Sequence, residues 1–404
     1  MSEQFLRYGD TYKASVYGTS VYATRNPQYA QHVLHENVRN YVKGQAIKRV
    51  ELLLGNGLMV SEGEFWRTQR RMVQHAFNHS AIVTLSKIVA ASNVALLSRW
   101  QEAAHNKVSV NVTRDVSGMV LEVVLKSAFG DDYGQVATPF HILSEEPARN
   151  LAFARAFKSL GKTILQLAVQ RREEKITTTD ILGMLMEARD QKSGRAMQDR
   201  QLVNELKTLI VAGHETTAST LNWTWYLLSQ HPAVEEKMSS ELYNLFGSKF
   251  PNLDDLPKFT YTRQVIDETL RLYPAGWLLT RRALKDDQLG DYFVPAGTEI
   301  YISPYFIQRH PDLWENPDSF NPDRFGPDHL QDRRPQAMIP FSAGARNCIG
   351  EIFARVEMQI HLMTIARHLR LRFAETNPPE LDVGVNLRSK HDFIMNPDLK
   401  ALAN

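Results

Sequence analysis

The sequence of 404 residues has one cysteine, almost no excess of either charge and no long apolar run. A single cysteine excludes an intramolecular disulfide, so nothing argues for secretion. It also excludes a four-cysteine iron–sulfur cluster. The 47 Lys and Arg residues against 45 Asp and Glu residues leave a net charge of +2, which gives no sign of a nucleic-acid partner. Charged residues interrupt each apolar run before the ~20 residues that a membrane span needs, so we expect no span.

The composition is that of a globular protein, with 43% hydrophobic, 23% charged and 9% aromatic residues. The sequence contains no internal repeat and no low-complexity linker. Residues 1–10 have the pattern of neither a signal peptide nor an anchor, so we expect a cytoplasmic protein. At roughly 150 residues per domain, a chain of this length would form two or three domains. A large fold around a buried cofactor would instead form a single domain.

Helical patterns, rich in Leu, Ala, Arg and Glu, dominate the chain. They predict helices over residues 62–77, 94–130, 150–173, 199–230, 232–246, 258–273 and 348–369. Other patterns predict short strands at residues 11–16, 21–24, 292–294 and 299–302 and in the tail. Because the first strands need the later ones as partners, we predict one mainly α domain over residues 1–404 with a small β portion. Its parts are an α-rich bulk at 27–273 and 348–369 and a β portion at 5–25, 276–303 and 380–397.

The cysteine lies in the segment Phe341-Ser-Ala-Gly-Ala-Arg-Asn-Cys-Ile-Gly350. A lone cysteine is ordinarily a small buried hydrophobe. Here Gly344 and Gly350 let the backbone approach a flat, bulky group. The start of a helix after Cys348, together with Arg346, favours a thiolate. A thiolate framed in this way suits a metal that takes one protein ligand of this kind, and haem iron is such a metal.

These residues resemble a known signature. Phe341, Gly344, Arg346, Cys348 and Gly350 match the F-x-x-G-x-R-x-C-x-G segment of the cytochromes P-450, the haem-thiolate monooxygenases. Four more segments in the family's order extend the resemblance over nearly the whole chain. The resemblance implies the cytochrome P-450 fold, a haem b whose iron Cys348 ligates, O₂ as co-substrate and electrons that come ultimately from NAD(P)H.

The helix predicted over 199–230 carries Ala212-Gly-His-Glu-Thr-Thr217. Its threonines would ordinarily bond to carbonyls one turn back, and Gly213 would simply cost about 1 kcal/mol. The resemblance implies instead that Ala212 and Gly213 leave room for dioxygen, while Glu215 and Thr216 relay protons as the catalytic pair. We expect His214 not to bind the iron, because the sixth coordination position must stay open for oxygen.

A second helix carries Glu268 and Arg271 at i, i+3. Such a pair ordinarily lies on the surface and contributes only ~0–1 kcal/mol. The resemblance implies a buried structural ion network with Arg324, which would hold the irregular segment 304–347 in place.

The resemblance also assigns residues to the haem carboxylates. Trp66 and Arg70 lie one helical turn apart and would bind a propionate. Arg281 and Arg346 are two further candidates, with Arg282 left open as an alternative to its neighbour. Arginines that converge on two carboxylates make chemical sense, because the fold must neutralise both anions.

The residues that the resemblance places around the substrate are mostly apolar, which implies a lipophilic organic substrate. For each of them a plain core position is an equally open interpretation. They are Met59, Leu209, Ala212, Gly276, Trp277, Leu278 and, in the tail, Phe393. The stretch from Phe129 to Arg171 is short for the two helices that usually roof the pocket.

The chain has no flavin or iron–sulfur segment, so a separate ferredoxin or flavodoxin with its reductase would supply the electrons. Positive charge on the cysteine side would attract such an acidic partner, although solvated surface is the ordinary role of such arginines. The candidates are Arg67, Arg71, Arg333, Arg334 and Arg355. We expect a monomer.

The function predicted from the sequence is that of a bacterial-type haem-thiolate monooxygenase of secondary metabolism, which hydroxylates or epoxidises its substrate. Three alternatives stay open. The first is a haem-thiolate isomerase or dehydratase that needs no oxygen, and the second is a non-catalytic haem-binding sensor or carrier. The third is a cysteine hydrolase with Cys348 as nucleophile.

Overall fold

The structure is a computed structural model that describes residues 1–16, 18–137, 151–246, 253–329 and 335–400. Within these ranges the α-helices are α1 (Ser2–Tyr8), α2 (Pro27–Gln31), α3 (Gln45–Arg49), α4 (Glu51–Leu54), α5 (Gly63–Gln74), α6 (His79–His105), α7 (Val112–Phe129), α8 (Leu151–Glu173), α9 (Ile181–Glu187), α10 (Asp199–Gln230), α11 (Pro232–Phe246), α12 (Thr260–Leu272), α13 (Pro304–Ile307) and α14 (Glu351–Ala366). The strands are β1 (Thr11–Val16), β2 (Thr19–Thr24), β3 (Tyr41–Lys43), β4 (Val110–Asn111), β5 (Leu279–Ala283), β6 (Asp287–Leu289), β7 (Tyr292–Val294), β8 (Glu299–Ile302), β9 (Leu369–Phe373), β10 (Leu381–Val383), β11 (Leu387–Ser389) and β12 (Ile394–Leu399). The architecture is therefore mainly α with a small β portion, as predicted.

The largest sheet joins the two ends of the β portion. Its strand order is β1-β2-β8-β5-β3, and β2 runs parallel to β8 with Val21 opposite Glu299. This pairing confirms that the first strands meet those that follow residue 275. In a second sheet β12 lies between β4 and β9, while β6-β7 and β10-β11 are hairpins.

Several predicted element bounds are confirmed and three are wrong. The helices α10 and α11 have the predicted bounds. The single helix predicted over 94–130 is instead α6 and α7, because β4 pairs with the distant β12 and the Asn111 side chain then caps α7. Residues 5–8, predicted as β structure, belong to α1. The helix predicted to reach 369 ends at Ala366, because Leu369 pairs with Leu399 in the second sheet.

Helix α10 runs through the core of the molecule and packs along α7. A Cβ on Gly213 would lie 3.3 Å from Cγ2 of Val124, so a glycine here allows the two helices to approach closely. The His214 ring nitrogen Nε2 lies 3.1 Å from the Ser117 carbonyl oxygen on the same α7 surface. This face of α10 is therefore committed to helix packing.

A buried polar contact ties α10 to the helix that follows the cysteine. Trp225 Nε1 donates to His361 Nε2 at 2.8 Å, and His361 Nδ1 lies 2.6 Å from Asn93 Oδ1. Burial lowers the pKa of His361 to about 3, so the ring is neutral and donates through Nδ1 while it accepts through Nε2. The three side chains hold α6, α10 and α14 at one relative position.

Helix α6 is long and apolar enough to cross a membrane by length and composition, with a mean hydropathy of 1.6 over its best window. Half of that window is buried, and the helix packs on α14 and α7. Such a single core helix is weak support for a membrane span.

The structure brings Glu268, Arg271 and Arg324 together. The two carboxylate oxygens of Glu268 accept from Arg271 Nε at 2.6 Å and Nη2 at 2.8 Å, and both side chains are fully buried. Arg324 Nε adds a third bond to this carboxylate at 3.2 Å. The remaining N–H groups of Arg271 donate to the carbonyls of Gln308, Pro317 and Ser319. One buried charge pair thus anchors the irregular segment between α13 and the cysteine.

We predict that Arg271→Met destabilises the protein by about 3–5 kcal/mol, because the change leaves the Glu268 carboxylate buried without its main partner. Urea unfolding followed by circular dichroism measures the change. Arg372→Met is the control, since Arg372 pairs with Asp398 on the surface and such pairs contribute ~0–1 kcal/mol. Equal losses in the two variants would contradict the structural role of the buried pair.

Candidate active site

The cysteine sits in a tight loop ahead of α14. The Cys348 N–H donates to the Phe341 carbonyl at 2.9 Å, which closes the loop. Gly344 has a φ of +70°, and a Cβ there would lie 2.1 Å from the Leu34 carbonyl oxygen. This glycine is therefore required by the contact with the Leu34 backbone and by its own left-handed conformation. A Cβ on Gly350, in contrast, would meet no heavy atom of the described structure within 4 Å.

The Cys348 residue is exposed, and yet the protein around it partly desolvates the thiol. Burial raises its pKa, while N–H groups of Gly350 and Glu351 and the charge of Arg70 act in the opposite direction. Arg70 itself donates to the backbone and side-chain oxygens of Asn347 at 2.8 and 2.9 Å. A thiolate that accepts N–H bonds beside a cation is a suitable metal ligand.

Several cations lie close together around the carboxylate of Glu62. Burial and, after it, the positive charge of Arg346 lower the pKa of Arg281 to about 10. Lys43 is buried in the same cluster, and burial lowers its pKa to about 7. The carboxylate of Glu62 accepts from Arg346 Nη2 at 2.5 Å and from the Lys43 backbone N–H at 2.6 Å.

This cluster holds more positive than negative charge. Among the described residues, the Nε atoms of Arg281 and Arg346 are buried and have no hydrogen-bond partner. The Trp66 ring lies against the same group, with its centroid 5.6 Å from the Arg346 guanidinium carbon. Buried donors without acceptors indicate that an anion belongs here. The two carboxylates of a haem fit that requirement, with the thiol of Cys348 alongside as the iron ligand.

The strand pairing distinguishes Arg281 from Arg282. Successive residues of a strand point to opposite faces, and Arg281 points into the cation cluster. Arg282 Nε donates to the Gly297 carbonyl at 3.2 Å on the other face. The structure therefore places Arg281, and not Arg282, among the candidate haem-binding residues.

The candidate proton-relay residues lie on α10. Thr216 Oγ1 donates to the Ala212 carbonyl at 2.8 Å, while Glu215 is exposed and accepts from Asn386 Nδ2 at 2.9 Å. Gly213 lies against Val124 of α7, so close helix packing by itself favours glycine at this position, and its role in making room for dioxygen stays a prediction. His214 faces the same helix, in agreement with its exclusion as an iron ligand.

The candidate substrate residues divide into two groups. Those placed at accessible, partly buried positions are Met59, Leu209, Ala212, Gly276, Trp277 and Leu278. Trp277 donates its indole N–H to the Gly384 carbonyl at 2.9 Å, so the tip of the β10-β11 hairpin orients this ring. Phe393 is only 1% exposed and packs among Trp223, Tyr226 and Phe373. Its assignment to the substrate pocket is wrong, because it belongs to an aromatic core cluster.

The structure also brings forward candidate residues that the sequence patterns did not identify. Asn386 touches Glu215 only because the tail hairpin folds back onto α10. Nothing in the sequence around Lys43 indicates a functional role. Glu205 could have been noticed, because it is a charged residue within the apolar stripe of α10, between Leu202 and Leu209.

The arginines proposed for donor docking differ in their surroundings. Arg355 is neutralised by Asp267 at 2.6 Å and by Glu351 at 3.1 Å, and it lies over the Phe341 ring. Arg71 lies 3.6 Å from Asp190, and Arg67 contacts Glu64 on the exposed surface of α5. The other two, Arg333 and Arg334, lie outside the described residues.

Comparison with known proteins agrees with this geometry. A sequence model of the family described as cytochrome P450 matches residues 1–142 and 135–395. The chain is 31% identical over 386 residues to cyclooctat-9-en-7-ol 5-monooxygenase of Streptomyces melanosporofaciens, across 90% of this chain and 83% of that protein. It is 30% identical over 397 residues to pentalenene oxygenase of Streptomyces avermitilis, across 93% of this chain and 86% of that protein.

Solved structures share the fold. The structure of a cyanobacterial protein, CYP120A1 with retinoic acid bound, aligns with a TM-score of 0.90 and 23% identity over 99% of this chain and 94% of that chain. The haem domain of cytochrome P450DA aligns with a TM-score of 0.89 and 22% identity over 99% of this chain and 92% of that chain. At these identities the likeness establishes the fold.

We predict that Arg281→Gln lowers the haem content of the purified protein and weakens haem retention about 10-fold or more, the effect expected when a charge-assisted hydrogen bond is lost. Pyridine haemochrome absorbance measures the content, and transfer to apomyoglobin measures the retention. Arg282→Gln is the matched control because this neighbour faces away from the cluster. Similar losses in both variants would contradict the assignment.

Proposed function

The chain belongs to the cytochrome P450 family, and from this premise we propose that it oxidises a ring-containing, unsaturated lipophilic compound. Like the relatives named as monooxygenases, it is an oxidoreductase that places one atom of O₂ in its substrate and uses electrons derived from NAD(P)H. The observation that carries the proposal is the accessible Cys348 thiol together with buried cations that outnumber the one carboxylate beside them and keep two guanidinium Nε atoms without an acceptor. When bound through a cysteine thiolate, haem supplies O₂ activation, since the thiolate's electron density favours O–O cleavage.

We assign the cofactor to the following residues. Cys348 ligates the iron, and the N–H groups of Gly350 and Glu351 stabilise the negative sulfur. Arg281 and Arg346, whose Nε atoms are buried and without an acceptor, would bind the haem carboxylates, with Trp66 beside Arg346. Arg70 remains a predicted propionate ligand with Trp66, and its two hydrogen bonds to Asn347 also keep the cysteine loop in place.

Proton delivery is assigned to α10. Reduction of one oxygen atom to water consumes two protons, which must reach a cleft lined by apolar side chains. The exposed carboxylate of Glu215 can take a proton from solvent. Thr216 Oγ1, now bonded to the Ala212 carbonyl, carries a hydroxyl proton one residue further along the same helix. We therefore assign the two residues successive roles, with the exposed Glu215 ahead of the partly buried Thr216.

The substrate class is inferred from the lining and the relatives. Leu209 and Ala212 lie one turn apart on α10, and Met59 and Leu278 are likewise apolar and partly buried. Such a lining favours a hydrocarbon skeleton over a charged molecule. Two relatives are named for cyclooctat-9-en-7-ol and pentalenene, names that denote unsaturated compounds.

We propose that an acidic ferredoxin or flavodoxin with its reductase donates the electrons. We also propose that the enzyme is a cytoplasmic monomer. Arg67 and Arg71 lie on the exposed side of α5, whose inner side carries Trp66 and Arg70. Their charge would therefore face a partner close to the cofactor edge.

We predict that the reduced wild-type protein with carbon monoxide gives a strongly red-shifted Soret band and that Cys348→Ser abolishes this shift, because only a thiolate ligand produces it. The measurement is the difference spectrum of the reduced protein with carbon monoxide minus the reduced protein without it, with total haem determined in parallel. A shifted band that survives the substitution would contradict the ligand assignment. A colourless wild-type protein that thiol reagents inactivate would favour a cysteine hydrolase, and turnover without a reductase would favour an isomerase or dehydratase.

We predict that the double reversal Arg67→Glu, Arg71→Glu slows reduction by an acidic ferredoxin roughly 10-fold at low salt and flattens its salt dependence, because electrostatic steering is lost. Stopped-flow reduction between low and high ionic strength measures this. Arg114→Glu, an exposed site on α7, is the control and should leave the rate unchanged. An unaltered rate in the double variant would overturn this docking surface.

A further inference from the structure

Two buried ionisable groups are not used by the proposed reaction, although one of them, Lys43, also belongs to the cation cluster. Glu205 on α10 is fully buried, and Lys43 on β3 is 8% exposed. Burial raises the pKa of Glu205 to about 7 and lowers the pKa of Lys43 to about 7. Two ionisable groups buried at such a cost require a structural or functional reason.

The two groups bind opposite ends of one residue. Glu205 Oε2 accepts from the Leu58 N–H at 2.8 Å, and Lys43 Nζ donates to the Leu58 carbonyl at 2.8 Å. Lys43 Nζ also donates to the Ser61 carbonyl at 2.8 Å. Leu58 is thus held between a carboxylate and an ammonium group in a buried setting, where charge-assisted hydrogen bonds are strong.

The segment that contains Leu58, residues 55–61, is here named the pocket loop. Its first four residues, 55–58, lie against α10. Gln201 Nε2 bridges the loop and the carboxylate, at 3.0 Å from the Asn56 carbonyl and 2.6 Å from Glu205 Oε1. A Cβ on Gly57 would lie 2.2 Å from Thr208 Oγ1, so only glycine permits this approach. The loop and the first half of α10 therefore form one packed unit.

The position of the pocket loop connects this unit with the active site. Glu205 lies seven residues before Ala212, on the same face of α10 and about 10 Å along the helix. At its other end the loop is followed by Glu62, the carboxylate of the cation cluster. The loop thus runs from the face of α10 that carries Ala212 to the cluster that binds the cofactor carboxylates, with Met59 on it.

We propose that Glu205 is a positioning residue for the oxidation: with Lys43 it clamps Leu58, fixes the pocket loop and Met59, and so decides which substrate position is oxidised. This inference rests on the proposed function. Glu205 touches neither cofactor nor reacting atoms and acts only through the loop. Loss of the clamp widens the pocket and lets one substrate bind in several orientations, so the product ratio changes before the overall rate does.

The test compares Glu205→Ala, Glu205→Gln and the wild type as haem-loaded proteins. The first readout is amide hydrogen exchange over residues 55–61, which needs no substrate. Glu205→Ala removes the acceptor of the Leu58 N–H, so we expect its exchange to become at least about tenfold faster. Glu205→Gln keeps an acceptor oxygen and loses the charge, so we expect an intermediate value.

The second readout is the ratio of oxidation products from pentalenene and from retinoic acid, used as probes with a supplied ferredoxin system. Glu205→Ala should convert a dominant product into a mixture, and Glu205→Gln should restore most of the original ratio. Glu241→Ala is the matched control. Glu241 on α11 also accepts backbone N–H bonds, from Tyr261 at 2.6 Å and Thr262 at 2.8 Å, but not from the pocket loop.

Each possible result bears on a different part of the proposal. Unchanged exchange in Glu205→Ala, with its Soret band and far-ultraviolet circular dichroism intact, overturns the clamp. Faster exchange with the wild-type product ratio overturns the positioning role. An equal effect of Glu241→Ala on both readouts overturns the specificity of the effect. A wild type that yields no product contradicts the proposed function and the positioning role with it, while the exchange result still decides whether the clamp exists.

Discussion

The structure depends on positive charge that is buried next to the cysteine without enough negative charge to balance it. Lys43, Arg281 and Arg346 share the carboxylate of Glu62, and two guanidinium Nε atoms have no acceptor among the described residues. Such an arrangement is costly for the protein alone, because buried cations are stabilised only by partners. It becomes favourable when a cofactor brings two carboxylates. The fold is therefore completed by its ligand, in keeping with a chain that belongs to a haem-binding family.

Helix α10 contributes residues to two different sets of contacts. On one side Gly213 and His214 belong to the contact with α7, which fixes the height and rotation of the helix. Elsewhere on the helix Thr216 Oγ1 donates to the Ala212 carbonyl, and Glu205 accepts from the Leu58 N–H of the pocket loop. Because both sides belong to one rigid rod, an adjustment of packing against α7 also shifts the groups that handle oxygen and substrate. The buried link through Trp225 and His361 extends this coupling to α14, directly after the cysteine.

Segments far apart in the chain complete the distal side. The β10-β11 hairpin donates from Asn386 to Glu215 and accepts at Gly384 from Trp277, so it touches both the proton-relay pair and the substrate lining. The pocket loop approaches from the N-terminal part of the chain. The substrate side is thus built from loops on a helical scaffold, an arrangement in which specificity can change while the chemistry stays the same.

Local pattern determined much of this protein. The bounds of α10 follow from its apolar stripe and from Pro232, and the cysteine segment, with its glycines and arginine, identified the cofactor and the family. Only the tertiary structure decided the break between α6 and α7, the burial of Phe393 in the core and the choice of Arg281 over Arg282. It also revealed the partners of Glu205 and Glu215. The physical reason is that periodicity and capping act within a few residues. Strand pairing and charge partners instead join residues more than a hundred positions apart, and no local sequence pattern predicts those contacts.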